Sequence, residues 1–108
     1  MKVLFDECLD WGICRELTGQ YCVSVQKMGW GGTANGALLE KAELEFDVFL
    51  TGDLNLSFQQ DMARFRIAIV VLHAKSTQLR YTLPLMPKVL ALLPRLESGQ
   101  VVNITLDS

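Results

Sequence analysis

A single histidine, His73, and three cysteines with no C-x-x-C spacing leave this chain without the ligand pairs of a zinc site. Cys8, Cys14 and Cys22 are odd in number and irregular in spacing, and are expected to be reduced core thiols of a cytosolic protein. No apolar run approaches the ~18 residues that a membrane-spanning helix requires. No basic-then-apolar leader opens the chain, so a cytoplasmic protein without membrane attachment is expected. Blocks of like charge are absent as well. Ten basic against twelve acidic residues give a net charge of −2. That excludes a broad basic face for non-specific nucleic-acid binding, but not an enzyme that meets nucleic acid locally. Ser24, Ser57 and Ser76 lack the G-x-S-x-G context of a serine nucleophile. Gly29, Gly31 and Gly32 do not join a strand to a helix in the dinucleotide pattern. They are expected to free the backbone for a tight loop around Trp30, which could cover a site. His73 follows an apolar run with no second histidine or cysteine beside it, and is expected at the rim rather than in catalysis.

What is present is an ordinary globular composition, 50% apolar and 20% charged, sufficient for one domain over residues 1–108. The pattern predicts strands at 2–5, 21–25, 47–51, 66–72 and 101–105. A short helix is expected at 9–17, a longer one at 34–45, a partly helical segment at 54–63 and a proline-containing helix at 83–96. Strands without strict alternation, separated by helices, predict an α/β domain of three layers. Its central sheet would be mostly parallel, with four to five strands and helices on both faces.

Two of those strands end in acids. Val3-Leu4-Phe5 runs into Asp6-Glu7, and Val48-Phe49-Leu50-Thr51 runs through Gly52 into Asp53. Parallel sheets place their ligand crevices at the carboxyl edge, so these acids are expected to form one site there. On a helical wheel of about 100° per residue, Asn35, Leu38, Leu39, Ala42 and Phe46 share a face that must pack on the sheet. Asn35 is then either a cap of its helix or a neutral ligand directed into the acidic site. Glu40 lies roughly 140° from it, toward solvent. Gln59 and Gln60, after Asn55, are expected to hydrogen-bond backbone or substrate.

Three blocks carry a resemblance. The first is Val3-Leu4-Phe5-Asp6-Glu7-Cys8-Leu9. The second is Gly29-Trp30-Gly31-Gly32-Thr33-Ala34-Asn35-Gly36-Ala37-Leu38-Leu39. The third runs from Phe46 through Thr51-Gly52-Asp53-Leu54-Asn55-Leu56, with Gln59-Gln60 behind it. With residues 66–72 and the late Pro-Leu-Met-Pro segment, they make the chain resemble the compact PIN-like family, VapC-like domains predicted to be toxins of bacterial toxin–antitoxin pairs. The resemblance implies a PIN-like fold and cleavage of RNA with Mg²⁺ or Mn²⁺. Asp6 and Asp53 would be metal ligands, and Glu7 a third ligand or a water-orienting group. Asn35, Thr51 and Asn55 would be supporting polar groups. Many relatives carry Asp where this chain has Asn35 and Asn55. Three carboxylates still suffice for one Mg²⁺, whereas a two-metal site would be under-charged.

Two other functions compete with the ribonuclease. One is a non-catalytic scaffold that binds a protein partner or RNA. The other is a receiver-like phosphoacceptor, with Ser76 or Thr77 as the hydroxyl after the fourth strand; no Lys-Pro follows the fifth strand, which counts against it. Finally, the 83–96 segment is apolar almost all round. Leu85, Leu92 and Leu96 share one side, and Met86, Val89, Leu90 and Leu93 another. If one side stays uncovered, a homodimer or an antitoxin contact is expected there. Alternatively, Pro94 bends the end and returns the last leucines to the core.

Overall fold

Continuous apolar strands need cover on both faces, and the described residues form five such strands, all parallel. They are β1 (Lys2–Phe5), β2 (Tyr21–Ser24), β3 (Val48–Thr51), β4 (Ala68–His73) and β5 (Val101–Thr105), in the order β2-β1-β3-β4-β5. Every ladder is parallel. The computed structural model describes residues 1–58 and 64–107. Gln59 and Gln60, and with them the end of the expected 54–63 segment, lie outside the described residues.

β3 is buried at all four positions and β4 at all but His73, as expected of strands sandwiched in an α/β sheet. β2 and β5, at the edges, are only partly buried. Side chains alternate between two hydrophobic clusters. Val3, Phe5, Val48, Leu50, Val70 and Leu72 join one, with Ile13, Leu17, Leu85, Met86, Val89 and Leu93. Leu4, Phe49, Ile69 and Val71 join the other, with Leu38, Leu39, Ala42 and Phe46. The face predicted for the 34–45 helix is thus the buried one, on α1 (Asn35–Ala42).

The chain departs from the expected pattern in three places. The 9–17 helix is a 3₁₀ turn, Trp11–Glu16, opened by Asp10, whose Oδ1 accepts from the Gly12 N–H at 2.8 Å. The 83–96 helix is broken into short pieces. α2 (Leu79–Thr82) leads into a 3₁₀ turn at Leu83–Leu85, then α3 (Met86–Leu92), then a second 3₁₀ turn at Leu93–Arg95. Pro84, Pro87 and Pro94 each stand at the start of a piece, where their missing N–H costs least. A single wheel therefore does not apply. Leu85, Met86, Val89 and Leu93 are all buried in one cluster, and Leu90, Leu92 and Leu96 pack partly against it. The uncovered side that motivated a dimer contact through Leu85 is absent among the described residues.

The thiols differ from the expected reduced core thiols as well. Cys14 and Cys22 form a disulfide. The 3₁₀ turn folds back along β2 and brings their Cα atoms to 5.7 Å, inside the bridging window of about 4.4–6.8 Å. Cys8 is the free cysteine, and it is exposed rather than in the core. Among the described residues no helix is long and apolar enough to cross a membrane.

Candidate functional site

The strand order decides where a ligand would go. In a 2-1-3-4-5 sheet the connections leave in opposite directions between β1 and β3, which opens a crevice at their carboxyl ends. Phe5 pairs with Leu50 in the register, and the Asp6 N–H donates to the Leu50 carbonyl at 2.9 Å. Asp6 is therefore held beside Thr51, the last residue of β3.

Thr51 is fully buried, and its hydroxyl is the hub of the site. The Oγ1–H donates to Asp6 Oδ2 at 2.7 Å, and Oγ1 accepts from the Asp53 N–H at 3.0 Å. Asp6 Oδ1 accepts from the Glu7 N–H at 2.8 Å. Asp53 Oδ1 accepts from the Asn55 N–H at 3.0 Å, and its carbonyl accepts from the Leu56 N–H at 3.1 Å. That turn starts the 3₁₀ segment Leu54–Phe58. Two carboxylates from neighbouring strands are thus fixed by one hydroxyl and by local N–H groups, with lone pairs to spare on both.

Gly52 lets the β4 loop approach. A Cβ there would stand 2.8 Å from Thr77 Cγ2 and 3.2 Å from Leu9 Cδ2, closer than side chains pack. Cys8 comes to the same place. Burial raises its thiol pKa above the ordinary value, and the charge of Asp6 adds to the rise; the hydrogen bonds from the Gly52 backbone and Thr51 oppose it. The residue is exposed overall, but its sulfur faces this wall of the site. Thr77, the hydroxyl considered for the receiver-like reading, thus comes to the acidic edge beside Gly52, and Cys8 reaches Gly52 across strands although it follows Asp6 closely in the chain.

Glu7 is exposed and turned toward the glycine loop, where a Cβ on Gly31 would meet its Oε2 at 3.3 Å. Its carbonyl accepts from Gln26 Nε2 at 3.4 Å. Gly29 and Gly32, each with φ of 77°, make the tight loop around Trp30, which packs edge-on against Phe46 at 6.1 Å. Asn35 is half-buried and opens α1, but the capping position is Ala34, with no side-chain cap. Asn35 is therefore not the cap. Asn55 is exposed. His73 pairs through Nε2 with Asn103 Oδ1 at 2.7 Å, a cross-strand contact at the rim.

Among the described residues no group of three or more His, Cys, Asp or Glu side chains is gathered to hold a metal ion. The oxygen donors at the ends of β1 and β3 are Asp6, Asp53 and Thr51, with the Thr51 hydroxyl tied to the Asp6 carboxylate and to the Asp53 backbone. All are oxygen donors, which suits Mg²⁺ or Mn²⁺, and Mg²⁺ is commonly held by one or two carboxylates while keeping several waters. The residues fit an open, water-rich cation site and not a closed cage. No family model, no curated protein and no solved structure matches this chain.

Proposed function

We propose that this chain is a metal-dependent, ribonuclease-like toxin of a bacterial toxin–antitoxin pair, a three-layer PIN-like domain with helices on both faces of its sheet, working in the cytoplasm. One observation carries the reading: Asp6 and Asp53 are joined through the buried Thr51 hydroxyl at the β1/β3 crevice. Asp6 and Asp53 are the metal ligands in this reading, and Glu7 is a third ligand or a group that orients water. Thr51 fixes the Asp6 carboxylate, the Asn55 backbone fixes that of Asp53, and Asn35 and the Asn55 side chain supply neutral polar contacts. Mg²⁺ or Mn²⁺, when bound, polarises a phosphate and lowers the pKa of an attacking water. An antitoxin partner and a homodimer belong to the same reading, and are tested by co-purification from cells and by sedimentation.

Purified protein is expected to cleave single-stranded RNA with Mn²⁺ or Mg²⁺, and Asp6→Asn to abolish cleavage and the growth arrest on expression. Cleavage undiminished in Asp6→Asn would sink the assignment of the site. Absence of cleavage in the wild type across many RNAs would favour a non-catalytic scaffold. A receiver-like phosphoacceptor is the second reading, favoured by the strand order it shares with receivers. Beryllofluoride binding lost in Asp53→Asn would support it over hydrolysis.

A further inference from the structure

Two aromatic rings at the carboxyl edge of the sheet have cations against them, one on each side of the acidic pair. On the β2 side, Trp11 is 62% exposed, and the Arg15 guanidinium lies 5.0 Å from its ring centre. Trp11 and Lys27 line a cavity of about 300 Å³ whose wall includes the Cys14–Cys22 disulfide and Phe5, the residue before Asp6. On the β4 side, Tyr81 has Arg80 at 4.7 Å and Lys75 at 5.6 Å from its ring centre. Tyr81, Arg80 and Lys75 line a second cavity of about 300 Å³ with His73, at the carboxyl end of β4. The order along this edge is therefore Trp11 cavity, Asp6, Asp53, Tyr81 cavity, following β2, β1, β3 and β4.

A solvent-reached ring that stacks a base, with a cation nearby for the phosphate, is how sequence-tolerant single-strand binding is built; Trp11 is exposed and Tyr81 half-buried. A folded protein partner would gain little from four cations around two separate concavities. The net charge of −2 fits a short, local contact rather than a long basic track. We propose that single-stranded RNA crosses the carboxyl edge of the sheet, with one base in the Trp11 cavity, another in the Tyr81 cavity, and the intervening backbone passing Asp6 and Asp53. This substrate path rests on the ribonuclease reading, but its binding step is measurable without catalysis.

The test is fluorescence anisotropy of a labelled oligouridylate with the full chain in EDTA, where no metal-dependent cleavage occurs. Trp11→Ala and Tyr81→Ala should each weaken binding roughly 5- to 150-fold, the range of one lost base–aromatic stack. Trp11→Phe and Tyr81→Phe keep a ring and should bind nearly as wild type, which separates loss of stacking from loss of fold. Lys27→Gln and Lys75→Gln should each reduce the steepness of the log–log salt dependence by about 0.7. Unchanged affinity in both alanine variants overturns the path, whether or not the wild type cleaves RNA. So does a wild type that binds no RNA but captures a protein through Trp11. Ring-dependent RNA binding without cleavage on adding Mn²⁺ would uphold the path and remove the ribonuclease reading.

Discussion

Thr51 is the residue on which the site turns, because one buried hydroxyl satisfies both Asp6 and the Asp53 backbone. Thr51→Val keeps the shape and removes both bonds. It should cost about 3 kcal/mol, the worth of a charge-assisted bond plus a stranded N–H, read as a lower urea midpoint; Thr51→Ser should retain most of that stability. Equal midpoints for Val and wild type would show that the hydroxyl is not the hub. Cys8 offers a second residue-scale test. Its thiol pKa is raised, first by burial and then by Asp6, so its alkylation should reach half-maximal rate at higher pH than a free thiol. Asp6→Asn should move that midpoint down, and no movement would separate Cys8 from the site. Because the folded-state pKa is the raised one, the stability linked to Cys8 is full below the unfolded pKa and is lost as pH rises through the folded one. Asp6 and Asp53 were legible in the sequence because acids ending apolar strands fall at one edge by the rules of parallel sheets. Glu7 has the same sequence signature but turns toward Gly31, a direction set by the loop and not by spacing.

At the scale of elements, the proline-broken segment changes what a substitution should do. Leu85 is 1% exposed in the same cluster as Met86, Val89 and Leu93. Leu85→Glu buries a charge without a partner and should cost more than about 4 kcal/mol, giving unfolded or insoluble protein rather than a soluble monomer. A well-folded Leu85→Glu protein, with a wild-type melting profile, would contradict this packing. The strands were legible to within two residues at each end, and β1 and β5 at both ends, because short, mostly apolar runs of four to six residues bounded by turn residues have few other uses. The helices were legible by face more than by extent. Leu38, Leu39 and Ala42 point inward as their spacing predicts, whereas three prolines reset the phase of the later segment. The Cys14–Cys22 bridge was hidden for a different reason. It depends on the return of the 3₁₀ turn along β2, which no local spacing announces.

For the whole molecule, topology does the positioning. The same residues in another strand order would leave Asp6 and Asp53 on separate strand ends; in the order β2-β1-β3-β4-β5 they flank the one crevice where the connections part. The cation site proposed for this crevice is built by two carboxylates. Titration calorimetry with Mn²⁺, comparing the wild type with Asp53→Asn, tests it most directly. Replacing one carboxylate with an amide removes a charge and a strong oxygen ligand, so the wild type should bind one Mn²⁺ and Asp53→Asn should bind it at least roughly tenfold more weakly. Equal affinity in the two proteins, or no heat of binding in either, would show that these carboxylates build no cation site.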